Sequence, residues 1–431
     1  MMFQTDRPVS WQNCLNCGNE VLETDSRTRC TVCGGLLEVR HRPPTASPTE
    51  LIQRFTERRG TVPGVTASGV WRFREVVLPS ANSVVSHPEG NTPLLHRVAL
   101  NTWSGVEHLL LKHEGHNPTG SFKDRGMTVG VTQALRIGAR AVACASTGNT
   151  SASLAAYAAQ AGLPALVLVP LGGVAAGKLA QTLAYGARTL LVRGDFDQCL
   201  RMVDQASTEL GVYLLNSINP FRIEGQKTII LELLQQLSWD APDWIVFPAG
   251  NLGNTAAFGK ALREAHEWGL ISRMPRLAAV QADGAAPFAR SFEEGFSRRH
   301  RVKAETVATA IQIGDPASYD RAVAAILDTN GLVLSVPDSA LLEAKAAIDA
   351  SGVGCEPASA ASLAGLRQLV QRGSIKPTDR VVGILTGHIL KDPGLLLRYH
   401  QEMDPPPAGA NRPVEIDATL SALERVLQQK P

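Results

Sequence analysis

Asn117-Pro118-Thr119-Gly120-Ser121-Phe122-Lys123-Asp124-Arg125-Gly126 holds one lysine in a tight polar turn at the head of a helical run. Pro118 and Gly120 punctuate the turn. Thr119 and Ser121 offer hydroxyl caps to a segment that begins at Phe122 and runs apolar through Met127, Val129 and Val131. A lysine at that point faces the positive end of a helix dipole, and burial disfavours its charge further. Its amine is therefore expected to titrate low and to act as a nucleophile. Taken alone, Lys123 reads more simply as a solvated residue paired with Asp124, because most lysines lie on the surface. The segments on either side decide against that simpler reading.

Working outward, Leu109–Lys112 reads as the strand that delivers the turn. Beyond it, Ala141–Ala145, Ala165–Val169, Thr189–Val192, Tyr213–Leu215, Trp244–Phe247, Leu277–Val280 and Val381–Leu385 read as strands separated by stretches long enough for helices. That alternation predicts an α/β protein with two doubly wound sheets, whose ligands sit beyond the carboxyl ends of the strands. Two of the loops in those places have anion-binding chemistry. Ser146-Thr147-Gly148-Asn149-Thr150-Ser151 opens a small-residue helix over 152–161, and its amides and hydroxyls suit a carboxylate. Gly250-Asn251-Leu252-Gly253-Asn254-Thr255 opens a helix over 255–268, and its glycines allow close backbone approach to a phosphate. Taken alone, the first loop reads rather as an ordinary capped helix start, and the second is weak evidence that a plain strand-to-helix connection would also explain.

The chain has 431 residues, enough for two α/β domains and an appendage, and its formal net charge of +2 favours neither nucleic acid nor an anionic membrane. The first residues lack a basic-then-apolar export pattern and the apolar runs are broken by Pro164, Pro170, Gly172 and Gly173, so a cytoplasmic protein is expected. Four of the seven cysteines form two Cys-x-x-Cys pairs, Cys14 with Cys17 and Cys30 with Cys33, each followed by glycine. That spacing predicts a closed, structural tetrahedral Zn2+ site in a small N-terminal zinc ribbon. The ribbon's basic residues, Arg27, Arg29, Arg40 and Arg42, are scattered and lack an aromatic stacking platform, which argues against a nucleic-acid role. His113 and His116 are expected to be satisfied or solvated rather than metal ligands.

The string NPTGSFKDRG is similar to the cofactor-lysine motif of the fold-type II pyridoxal-phosphate enzymes (tryptophan synthase beta-like), and the stretch from Lys112 to Met127 resembles the threonine synthases in particular. The resemblance extends over about 89–392, with its motifs in family order. It implies that Lys123 carries pyridoxal 5'-phosphate as a Schiff base. It further implies that Ser146, Thr147 and Thr150 hold the substrate carboxylate and that Asn149 bonds the cofactor's phenolic oxygen. Gly250, Asn251, Leu252, Gly253 and Asn254 would cradle the cofactor phosphate. Thr386, in Leu385-Thr386-Gly387-His388-Ile389, stands where a hydroxyl faces the pyridine nitrogen; a neutral hydroxyl holds that nitrogen protonated less firmly than a carboxylate.

Within Asn216–Thr228, Ser217 and Arg222 match the serine and arginine that grip the phosphate leaving O-phospho-L-homoserine. A guanidinium suits a dianion, whereas a dehydratase acting on free serine or threonine has none to hold. The bland alternative pairs Arg222 with Glu224 or Glu232. The Cys355–Ala360 stretch is expected to pack beneath the cofactor. The activity implied is γ-elimination of phosphate followed by β-addition of water, giving L-threonine. A serine or threonine dehydratase, an O-phosphoserine replacement synthase and a zinc-ribbon interaction protein with a relic fold are the competitors. Fold-type II enzymes are commonly homodimers. The expected organisation is a ribbon over 1–45, a catalytic region over 46–405 with a small domain at about 128–215 inserted in the large one, and a tail helix from Val414 to Gln429.

Overall fold

In the computed structural model, which describes residues 8–59, 64–146, 148–171, 176–194, 196–407 and 409–428, every strand expected from the sequence forms at its place. The larger sheet has six strands in the order Leu332–Val336, Arg276–Ala282, Trp244–Pro248, Arg380–Leu385, His108–His113, Leu94–Leu95. The first five run parallel and the short last strand is antiparallel. The smaller sheet is all parallel, in the order Arg188–Val192, Ala165–Pro170, Ala141–Ala145, Val212–Leu214. Trp244–Pro248 and Ala141–Ala145 are buried along their whole length, as parallel strands covered on both faces must be. Leu332–Val336 was not expected from the sequence; it pairs on one side only, as the edge of the larger sheet.

Strand order positions the chemistry. Trp244–Pro248 lies beside Arg380–Leu385, which lies beside His108–His113, so the glycine loop, the Thr386 loop and the lysine turn emerge next to one another at one end of the sheet. The lysine turn is also pinned across: the Phe122 amide donates to the Thr386 carbonyl (3.0 Å) and the His388 amide to the Gly120 carbonyl (2.9 Å). In the smaller sheet, Asn216 fastens its exit loop to the neighbouring strand. Its Oδ1 accepts from the Ala145 amide and its Nδ2 donates to the Ala145 carbonyl, both at 3.0 Å. The Ser146 loop and the Ser217–Arg222 segment are thereby side by side.

The helix that follows Lys123 runs Lys123–Arg136 and packs tightly against the short helix Pro220–Gln226. A Cβ at Gly225 would fall 1.8 Å from the Arg125 carbonyl oxygen, so only glycine lets the two backbones approach this closely. Asn219 caps the short helix by accepting from the amides of Phe221 (3.0 Å) and Arg222 (3.3 Å), and Pro220 occupies its first turn.

A buried ion network lies behind the turn. Glu232 accepts from Lys112 Nζ (2.6 Å), Arg72 Nη2 (2.7 Å) and Arg125 Nη2 (3.0 Å), and from the amides of Asn91 and Thr92 (both 2.9 Å). Glu114 takes Arg125 Nε (2.7 Å) and Asn117 Nδ2 (2.8 Å). The guanidinium of the residue two after Lys123 therefore ties the turn to both sides of the core.

The N-terminal ribbon is a three-stranded antiparallel sheet of Glu20–Leu22, Ser10–Cys14 and Leu37–His41. Its last strand docks on the catalytic region. His41 Nε2 lies 2.7 Å from Glu224 Oε2, Lys260 Nζ donates to the Val39 carbonyl (2.7 Å), and Arg321 donates to the Leu37 carbonyl.

One compact unit runs to Lys391 and a second begins at Asp392, ahead of the Pro405–Pro407 run that marks the tail in the sequence. The second unit holds the helix Pro393–Leu397, a wider turn over Arg398–Glu402 and the helix Leu420–Gln428. That last helix starts later than Val414 because Thr419 Oγ1 accepts from the Ala422 amide and caps it there. Among the described residues no helix is long and apolar enough to cross a membrane.

Candidate active site

Lys123 begins its helix, and the Lys123 amide donates to Ser121 Oγ (3.4 Å). Its amine lies 4.0 Å from the centre of the Phe122 ring. Burial, with the positive charge of Arg222 added, pulls its pKa down to about 7, against a smaller upward pull from Glu356. Asp124 does not pair with it. The Asp124 carboxyl accepts from the Thr119 amide (2.7 Å), Thr119 Oγ1 (2.6 Å) and Ser153 Oγ (2.6 Å), and burial pushes its pKa up to about 6. The neighbouring carboxylate thus shapes the turn and leaves the lysine free to react.

In cofactor-free protein, with the amine's pKa lowered to about 7, its reaction with an amine-selective arylating reagent is expected to rise about tenfold per pH unit below 7 and to level off above about 8. Peptide mapping at Lys123 checks this. A rise that continues past pH 9, as for solvated lysines, would show that the amine is not desolvated.

Arg222 is 1% exposed, and among the described residues no carboxylate pairs with it. Its Nη1 donates to the Leu215 carbonyl (3.0 Å), while its buried Nε has no partner. Neither bland partner is used. Glu224 is taken by His41, Lys227 and Lys260, and Glu232 by Arg72, Lys112 and Arg125. The Cys144 thiol, whose charge would favour the guanidinium, is held neutral by burial with a pKa of about 12. A buried cation without a counter-charge is costly, and its own pKa falls to about 10. Such a site calls for an anion. Ser217, half-buried, lies in the same segment.

The Ser146 loop leads into the helix Asn149–Ala161. Ser146 Oγ accepts from the Gly148 amide (3.3 Å), and Thr150 is half-buried in the first turn. Thr147 lies outside the described residues. Asn149 Nδ2 donates to Glu356 Oε2 (2.8 Å).

The glycine loop opens the helix Gly253–Glu267, with Leu252 in the left-handed region (φ +63°). Asn254 Oδ1 accepts from Gln226 Nε2 (2.7 Å), which links this loop to the Arg222 helix. Thr255 Oγ1 is buried and unpartnered, as a phosphate cradle requires. The segment before Tyr319 closes over the loop: the Ala317 amide donates to Asn251 Oδ1 (3.4 Å) and the Ser318 amide to the Asn251 carbonyl (3.2 Å), with Gly250 under Ile311. Unpartnered Thr255 Oγ1 and Arg222 Nε, two helix N-termini and a low-titrating lysine together fit pyridoxal 5'-phosphate and an anionic substrate.

Thr386 is 4% exposed, and its Oγ1 donates to Glu356 Oε1 (2.8 Å). Glu356 is the residue that sequence reading missed: its stretch was read as packing, yet it brings a buried carboxylate to Asn149, Thr386 and the field of Lys123. The signal was present, since a lone carboxylate amid small apolar residues must find partners. His113 is satisfied, as expected: its Nδ1 accepts from the Gly115 amide (3.1 Å), and its Nε2 is 2.7 Å from the Gly354 carbonyl.

In the ribbon, all four cysteine sulfurs lie within 4.8 Å of one another, with Cys14 and Cys33 at 3.4 Å and Cys17 and Cys30 at 3.7 Å. Four thiolates about 2.3 Å from a central zinc would stand about 3.8 Å apart, so these residues fit the ion.

Residues 85–387 match the family described as pyridoxal-phosphate dependent enzyme. The chain is 42% identical to threonine synthase of Methanocaldococcus jannaschii over 421 residues, covering 97% of this chain and 99% of that one. It is 48% identical to threonine synthase of Synechocystis over 312 residues, 72% of this chain and 79% of the other. The crystal structure of threonine synthase from Escherichia coli superposes with a TM-score of 0.68 at 19% identity, covering 97% of this chain and 99% of that one, which shows a shared fold.

Proposed function

The chain belongs to the pyridoxal-phosphate dependent enzymes and, among them, to the threonine synthases, and from that premise we propose how its own residues divide the work. It is a pyridoxal-phosphate-dependent lyase that converts O-phospho-L-homoserine and water to L-threonine and phosphate. The observation that carries the division of labour is the buried, unpaired Arg222 beside a low-titrating lysine.

When bound, pyridoxal phosphate supplies an electron sink for the bond changes at the substrate's α and β carbons. The protein does the rest. Lys123 would hold the cofactor by its amine and, with that amine's pKa lowered to about 7 by burial, would move protons at Cα and Cβ. Amides and hydroxyls of Ser146, Thr147 and Thr150 at a helix N-terminus bind the substrate carboxylate. Arg222 and Ser217 bind the γ-phosphate, and the negative charge that gathers there as the Cγ–O bond breaks meets a cation already desolvated and in position. Water then adds at Cβ. Gly250, Asn251, Leu252, Gly253 and Asn254 hold the cofactor phosphate, while Asn149 and Thr386 set the ring.

Four further points belong to this reading. Cys14, Cys17, Cys30 and Cys33 bind a structural Zn2+, supported by their spacing and mutual distances. Its domains are the ribbon at 1–45, the catalytic region at 46–405 with a small domain inserted at about 128–215, and the tail at 406–431. The enzyme works as a homodimer by analogy with its fold type. The thiol-rich ribbon and the biosynthetic reaction suit the reducing cytoplasm.

Purified protein loaded with pyridoxal phosphate is expected to release phosphate and threonine from O-phosphohomoserine in a one-to-one ratio. Keto acid from free threonine or serine without phosphate would favour the dehydratase. Product only from O-phosphoserine plus a second nucleophile would favour the replacement synthase.

A further inference from the structure

The last strand of the ribbon is bound to both ends of the segment that carries Arg222. At one end Arg321 spans the two, donating through Nη2 to the Leu37 carbonyl and through Nη1 to the Ile218 carbonyl (3.5 Å). Leu36, just before the strand, is buried in one apolar cluster with Ile218 and Leu214. At the other end His41 Nε2 meets Glu224 Oε2 (2.7 Å), and Lys260 Nζ joins the Val39 carbonyl (2.7 Å) to Glu224 Oε1 (3.3 Å). The side chains of His41, Glu224 and Lys260 are at most 1% exposed.

The direction of the histidine bond is determined. Burial, with Lys227 added, pulls the His41 pKa down against the upward pull of Glu224, so the ring is neutral at pH 7. Burial pushes the Glu224 carboxyl up, but Lys227, Lys260 and His41 outweigh it and hold it well below its usual range. A carboxylate only accepts, so Nε2 carries the ring proton and donates. Nδ1 is left to accept from Ser10 Oγ (2.8 Å).

The helix Pro220–Gln226 has seven residues, too few to hold its own orientation. Positions 222 and 224 stand roughly 200° apart around its axis, so whatever grips Glu224 sets the rotation that aims Arg222. A ribbon that only docked another macromolecule would not need buried charges at this joint, whose desolvation is costly.

We infer that His41 is a positioning residue: by holding Glu224 it turns the short helix so that the Arg222 guanidinium is presented to an anion, which makes the ribbon a working part of the phosphate-binding segment. The inference rests on the reading of Arg222 as the phosphate-binding group, supported by its burial with no carboxylate partner among the described residues.

The test is inhibition of the cofactor-loaded enzyme by each of its two products, read by formation of the other. Inorganic phosphate reports on the Arg222 segment, and L-threonine, which carries no phosphate, reports on the carboxylate loop. His41→Ala and His41→Asn leave nothing that reaches Glu224, whereas in His41→Gln an amide N–H stands where Nε2 did. The inhibition constant of phosphate is expected to rise about three- to thirtyfold in the alanine and asparagine variants, with that of L-threonine moving less than about twofold. His41→Gln is expected to restore the wild-type value. In an Arg222→Ala background, His41→Ala should add nothing, because the group it positions is gone.

Equal weakening of both inhibitors, a phosphate constant unmoved in His41→Ala and His41→Asn, no rescue in His41→Gln, or additive effects of the two alanine substitutions overturns the inference. So does a His41→Asn protein that fails to fold, since the strand would then be a structural necessity and no more. A phosphate constant unchanged by Arg222→Ala alone would instead overturn the underlying reading of Arg222, and the inference with it.

Discussion

Replacing Arg222 by alanine is expected to lower kcat/KM for O-phosphohomoserine by roughly 30-fold to several thousand-fold, the equivalent of about 2–5 kcal/mol for truncating one side of a buried charged pair. The guanidinium is held by the Leu215 carbonyl at Nη1, and its Nε has no partner among the described residues, which suits the proposed grip on the substrate phosphate. Thermal stability should move the other way or not at all. Arg222 is a desolvated cation with no carboxylate partner among the described residues, and its removal relieves that cost. An inactive variant with an unchanged or raised unfolding midpoint is the signature of a residue kept for function at the expense of stability. Arg222→Lys is expected to fall between, because a point charge on a shorter reach cannot fork onto a dianion. A loss of less than about threefold in Arg222→Ala, or a loss accompanied by destabilisation, would remove the phosphate from this position.

The second large effect concerns folding. Glu232→Ala is expected to cost about 3–5 kcal/mol of stability, because it leaves Arg72, Lys112 and Arg125 buried with one carboxylate fewer among them. Glu114 still pairs with Arg125, but Lys112 loses its only ionic partner among the described residues. The pH dependence has a definite sign. Three cations hold the Glu232 carboxyl well below its ordinary range, so its contribution is fully present above the unfolded-state value near 4.5. It is lost as pH falls below that value towards the folded-state pKa. Wild-type stability should therefore drop more steeply between pH 4.5 and 3 than that of Glu232→Gln, measured by denaturant midpoints. Equal slopes, or a cost of Glu232→Ala under about 1 kcal/mol, would mean the network is not what fastens the lysine turn.

Much of this molecule is legible in order along the chain. The lysine turn, the Ser146 loop, the glycine loop and the Thr386 loop each follow a short apolar run, and each run is the strand it was expected to be. The paired cysteines are likewise close in space as their spacing implied. These features depend on turn chemistry, capping and strand periodicity, which act over a few residues. Less legible were the ends of elements: the tail helix begins at Leu420 because of a cap at Thr419, within a stretch whose apolar spacing continues on both sides.

The chemical parts and the sheet that presents them are therefore legible in the chain: a lysine at a helix start, glycine- and hydroxyl-bearing loops beyond strand ends, and four thiols at zinc spacing. The tertiary structure alone decided which charges meet. Glu224 and Glu232 lie near Arg222 in the chain, yet both are claimed from elsewhere, by His41, Lys260, Arg72 and Lys112, and neither pairs with the arginine. Glu356, read as part of a packing segment, reaches Asn149 and Thr386 because the strand order brings distant loops to one edge. The physical reason is range. Backbone preference is settled between neighbours, whereas a buried charge takes the partner that the completed fold places within hydrogen-bond reach, wherever that partner stands in the sequence.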